Sequence, residues 1–84
     1  MDEKYIKQRI AELRTQQRIS ARELSLTLGQ SPGYINTIEN GKSLPSMSMF
    51  LVICEYFKIT PKEFFDDRVE YPKIYLELIN EIKK

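Results

Sequence analysis

The chain has 84 residues, 13 Lys and Arg against 12 Asp and Glu, no His and one Cys, and a formal net charge of +1. A chain this short forms one domain that buries roughly 60% of the surface its unfolded form exposes. With no His and only Cys54, it lacks the nitrogen and thiolate ligands of a zinc site and the Ser/His or Cys/His pair of covalent catalysis, so no enzyme, metal or cofactor is expected.

A lone thiol cannot staple a monomer, and Cys54 ends the apolar run 49–54, which predicts a packed, inert side chain and a reducing, cytoplasmic setting. That run is far shorter than the roughly 20 residues of a membrane helix, and Met-Asp-Glu-Lys is not expected to begin a signal peptide. Few Gly and Pro interrupt the chain, and no stretch alternates apolar and polar residues for long, so the sequence predicts an all-α fold.

Tyr5, Ile6, Ile10 and Leu13 recur at helical spacing and predict a first amphipathic helix from about residue 3 to about residue 17. Ser20-Ala21-Arg22-Glu23 reads as a capping box with Ile19 and Leu24 as its staple; the helix it opens turns Leu24 and Leu28 inward and stops at Gly29. Ser31 and Pro32 restart a helix as cap and first helical residue, Ile35 and Ile38 give its buried face, and Asn40-Gly41 ends it. Pro45-Ser46 launches a fourth helix whose stripe Met47, Phe50, Leu51, Cys54 and Phe57 predicts the core side. Thr60-Pro61-Lys62-Glu63 is a second capping box, stapled by Ile59 and Phe64, and opens a short fifth helix through Phe65. After a polar, acidic link, Pro72 begins a last helix with Ile74, Tyr75, Leu78, Ile79 and Ile82 on one side. The expected division is therefore a helical domain over 1–70 and an appended C-terminal helix over 71–84.

The most informative segment is Ala21 to Asn40, two short helices around Gly29 with Leu24, Leu28, Ile35 and Ile38 on the inner faces. Helix-turn-helix units need a tight turn and interlocking aliphatics of this kind, although such pairs also occur in small helical domains that bind nothing. The wider string, from Arg9-Ile10-Ala11-Glu12-Leu13-Arg14 through Ile35-Asn36-Thr37-Ile38-Glu39-Asn40-Gly41-Lys42 to Pro61-Lys62-Glu63-Phe64-Phe65, closely resembles the lambda repressor and Cro-like helix-turn-helix family, also called XRE. Its most specific piece is Ile38-Glu39-Asn40-Gly41-Lys42 followed by Pro45-Ser46.

The resemblance implies a five-helix DNA-binding domain, here with one extra C-terminal helix. It also implies that the third helix, Pro32 to Asn40, lies in the major groove of double-stranded DNA, and that a homodimer spans two half-sites about one helical turn apart. Carried onto this sequence, it pairs Arg14 with Glu39 as a structural ion pair that fixes the third helix. It puts Pro32, Gly33, Tyr34, Asn36 and Thr37 at the base-facing positions, where Asn can pair with adenine and Thr can meet a thymine methyl. Tyr34 has a second reading, an aromatic leaning on a neighbour. Phosphate contacts fall on Ser20, Arg22, Ser31, Asn40 and Lys42, with Arg18 a weaker candidate. Ala21 departs from the Gln common in the family, which removes one contact to phosphate, and Pro32 and Gly33 replace polar readers.

Residues 1–42 hold seven basic and five acidic side chains and residues 43–84 six and seven, so the small positive excess lies in the half with the helix-turn-helix. A monomer at +1 has little non-specific attraction for DNA, and its binding should weaken quickly as salt rises. Met49, Val52 or Ile53, and Tyr56 form a second apolar line on the fourth helix, and with Ile74, Leu78 and Ile82 of the last helix they are the candidate dimer contacts. Alternatively, the last helix packs back on the first and fifth. A second functional reading keeps the fold but makes the chain an adaptor or antitoxin-like partner that holds another protein and binds DNA weakly.

Overall fold

The computed structural model describes residues 2–66. Among them are five helices and no strand: α1 (Glu3–Gln16), α2 (Ala21–Thr27), α3 (Tyr34–Glu39), α4 (Met47–Tyr56) and α5 (Pro61–Phe64). The last helix predicted from Pro72, its Ile74, Leu78 and Ile82, and the division near residue 70 lie outside the described residues.

Each helix begins where a side chain or the backbone takes up its free amides. Asp2, Ser20, Ser46 and Thr60 occupy extended N-cap positions and accept from Lys4, Glu23, Met49 and Glu63 amides respectively. The full reciprocal capping box forms at Thr60, where Glu63 Oε1 accepts from the Thr60 amide at 3.0 Å. At Ser20 only the hydroxyl half of the predicted box is made among the described residues.

The start of α3 differs from the prediction. Gly33 is its N-cap, with no side-chain cap, and Ser31 contributes its carbonyl, which accepts from the Tyr34 amide at 3.0 Å. Pro32 and Gly33 therefore form a turn ahead of the helix. Pro32 fixes its own φ but cannot force Gly33, the most permissive residue, into a helical start.

Four helices stop in the same way. The third residue past each end reaches back to the carbonyl five residues earlier, as in Ile19 to Arg14, Gln30 to Ser25, Lys42 to Thr37 and Ile59 to Cys54. The residue before it is left-handed: Gly29 and Gly41 at two ends, but Arg18 (φ 55°) and Lys58 (φ 56°) at the others. Gly29 and Gly41 announce this geometry in the sequence, whereas the two cations do not.

The core consists of Ile10, Leu13, Leu24, Ile35, Ile38, Phe50, Ile53, Cys54, Phe57 and Phe64. Ile10 and Leu13 of α1 share this core with Leu24 of α2 and Ile35 and Ile38 of α3. Phe50 closes the other side edge-to-face on Phe64, with ring centroids 4.9 Å apart. Burial also corrects the reading of α4. Ile53 is fully buried and belongs to the core, so it is not a dimer contact, while Met47 is 73% and Leu51 50% exposed although their stripe predicts burial. A helix that is apolar on almost every side does not reveal from spacing alone which stripe faces inward. Met49 and Tyr56 are half-buried and Val52 is exposed. Burial pushes the Cys54 thiol above its ordinary pKa, which keeps it protonated and unreactive.

Candidate nucleic-acid interface

Two polar contacts set the direction in which α3 is presented. The Arg14 guanidinium grips Glu39 through two parallel bonds, Nε to Oε2 at 2.8 Å and Nη2 to Oε1 at 2.9 Å, while Nη1 donates to the Ile19 carbonyl at 3.0 Å. The side chains are 22% and 14% exposed, so the fork is largely sheltered from water and joins α1, the α1–α2 turn and the C-terminal end of α3. The hydrogen bond to Glu39 raises the Arg14 pKa above its ordinary value, against the opposing effect of burial. A bidentate fork fixes both distance and plane, which a Lys could not do.

The second contact is one that the sequence reading missed. Ser25 is completely buried; its hydroxyl donates to the Ala21 carbonyl at 2.7 Å and accepts from the Ile35 amide at 2.9 Å. It thereby satisfies one of the free amides in the first turn of α3 and ties that turn to α2. The available signal was a small hydroxyl next to Leu24, one helical turn beyond Ala21.

With its ends fixed in this way, α3 buries Ile35 and Ile38 and leaves Gly33, Asn36, Thr37 and Asn40 exposed, with Pro32 beside them. Thr37 Oγ1 donates to the Gly33 carbonyl at 2.8 Å, which engages the hydroxyl within the helix and leaves the methyl for apolar contact. The Asn36 side chain has no hydrogen-bond partner among the described residues. Tyr34 is different: it is half-buried, packs against the core, and encloses its hydroxyl without a partner among the described residues. Burial raises its pKa, so the phenol stays neutral. Its position at the helix start therefore carries an inward ring rather than an outward hydroxyl.

Ser20, Arg22, Ser31, Asn40 and Lys42 are all exposed along the same helix-turn-helix, as is Arg18. The Ser20 hydroxyl accepts the Glu23 amide at 3.0 Å and retains its proton for donation outward. Ala21 is half-buried against the core, so the departure from Gln puts a methyl in a packed position. Leu26, on the outer side of α2, is 50% exposed.

Two other side chains outside the predicted set steady the far end of the domain. Arg9 donates from Nε to the Phe64 carbonyl at 2.9 Å and from Nη2 to the Glu63 carbonyl at 3.2 Å, and the Tyr5 hydroxyl donates to the carbonyls of Phe64 and Asp66. A cation at the carbonyl end of α5 suits the dipole there and anchors α5 to α1.

Among the described residues no cluster of His, Cys, Asp and Glu could hold a metal ion, and no helix is long and apolar enough to cross a membrane. The arrangement is an exposed polar helix face flanked by hydroxyl, amide and cationic side chains. Residues 7–67 match a protein-family model described as a helix-turn-helix domain. No curated protein and no solved structure matches the chain.

Proposed function

Since the chain belongs to the helix-turn-helix domain family, of the XRE or Cro-like type, we propose that it is a small cytoplasmic transcriptional regulator that binds double-stranded DNA as a homodimer. The observation that carries this reading is the exposed face of α3, held from both sides by the Arg14–Glu39 fork and the Ser25 bridge. Asn36 supplies a bidentate partner for adenine and the Thr37 methyl a contact for thymine. Ser20, Arg22, Ser31, Asn40 and Lys42 hold the backbone on either side and set register without reading sequence. No catalytic step enters the reading.

The second copy docks on α4, whose Met47, Leu51 and Val52 are exposed together and are flanked by the half-buried Met49 and Tyr56. A contiguous apolar surface of this kind calls for a cover. The same observation favours a second reading, in which another protein takes that surface and DNA binding is secondary.

A gel-shift titration with random duplex and with DNA flanking the protein's own coding sequence separates the two. The DNA reading expects retardation at about 50 mM salt that weakens steeply by about 200 mM. It also expects Asn36→Ala to relax sequence preference by about 1–3 kcal/mol. No retardation at low salt overturns it and leaves the protein-partner reading.

A further inference from the structure

A polar groove beside the exit of α3 contains two cations, Lys4 and Lys7, that none of the assignments above uses. Glu3, Lys4 and Lys7 of α1 form one wall, Asn40, Gly41, Lys42, Ser43 and Leu44 form the other, and Ile38 lies between them. The Lys7 side chain crosses over Gly41, where a Cβ would stand 3.8 Å from both Lys7 Cδ and Nζ. Three lysines thus converge with one glutamate around a groove of about 490 Å³, and none of the three forms an ion pair among the described residues. The two arginines of α1 that face the domain, Arg9 and Arg14, are by contrast both paired.

We propose that this groove is a backbone-phosphate site that extends the DNA contact from α3 onto α1, with Lys7 as its central cation and Lys4 and Lys42 at its sides. The inference rests on the DNA-binding reading and adds contacts to it. An alternative role for Lys7, capping the carbonyls at the end of α3, has little left to satisfy: Thr37 and Ile38 carbonyls already accept from the amides of Lys42 and Gly41 at 3.0 and 2.9 Å. Three lysines against one glutamate give the groove lining an excess of positive charge, which attracts an anion. The groove shares Asn40 and Lys42 with the predicted phosphate contacts, so a strand leaving the α3 face runs into it.

The test is the salt dependence of duplex binding by the full chain, measured for wild type, Lys7→Gln, Lys7→Arg and Lys62→Gln. Lys62 is an exposed α5 lysine that does not line the groove, so it removes the same charge elsewhere. Each phosphate contact contributes about 0.9 to the slope of log binding constant against log salt. Lys7→Gln is expected to lower the slope by about 0.9 per bound protomer, equally on random and preferred sequences, while Lys7→Arg restores it and Lys62→Gln leaves it unchanged. Thermal melts of each variant establish that the fold is retained. An unchanged slope in Lys7→Gln, or an equal loss in Lys62→Gln, overturns the groove assignment while DNA binding stands. Absence of wild-type binding at low salt overturns both.

Discussion

Where α3 meets α1 and α2, the contacts that orient it are polar and directional, whereas between α4 and α5 the contacts are aromatic. On the first side the Arg14–Glu39 fork and the Ser25 bridge each satisfy specific donors and acceptors at 2.7–3.0 Å. On the second, Phe50 packs against Phe64 and Phe65 with centroids 4.9 and 5.4 Å apart, and Phe64 against Phe65 at 5.0 Å. Apolar burial supplies most of the driving force but tolerates rotation and sliding, while hydrogen bonds add little net energy and lose it sharply when misaligned. The difference teaches a division of labour: the aromatic half keeps the domain folded, and the polar half aims α3.

Substitutions can break that comparison, and the largest effect belongs to the aromatic side. Phe64→Ala empties a fully buried site and is expected to cost about 3–5 kcal/mol in chemical denaturation, enough to unfold much of so small a domain. Next comes Arg14→Ala, which strands Glu39 and frees the Ile19 carbonyl. A wholly buried pair loses ~3–5 kcal/mol when one partner is removed; with Arg14 22% exposed, about 2–3 kcal/mol is expected. Its DNA affinity should fall further than the unfolded fraction explains, and a soluble variant of unchanged stability would count against the fork's role.

Ser25→Ala leaves the buried Ile35 amide without its acceptor and should cost about 1–2 kcal/mol, read as faster amide exchange at the first turn of α3. The smallest effect has the opposite sign. Tyr34→Phe deletes an enclosed hydroxyl that has no partner among the described residues, so the melting temperature should rise slightly, by up to about 1 kcal/mol of stability, with DNA binding unchanged. Weaker DNA binding by that variant at equal stability would instead assign the hydroxyl to the interface.

The sequence makes the helices legible because their ends carry chemistry: Ser20, Ser46 and Thr60 as caps, Gly29 and Gly41 as left-handed stops. It misleads at α4, where apolar residues on nearly every side let Met47 and Leu51 pass for core and Ile53 for surface. It is silent at Arg18 and Lys58, since a left-handed cation has no local signature and is tolerated only because the neighbouring chain fixes it. The family resemblance implies Arg14 and Glu39 as partners, and the structure places them in a bidentate fork. Ser25, Arg9 and Lys7 escaped notice because each acts through a backbone or groove contributed by a distant segment, and one-dimensional spacing does not encode such neighbours.

The most direct test of the claim that α3 is the outward-aimed reading element is a backbone amide spectrum of the protein titrated with short duplex DNA at low salt. The account predicts that the perturbed amides cluster over residues 31–42 and at Ser20 and Arg22, with Met47, Leu51 and Val52 unaffected beyond any change due to dimerisation. Perturbations centred on α4 with α3 unmoved, or none anywhere, would contradict it.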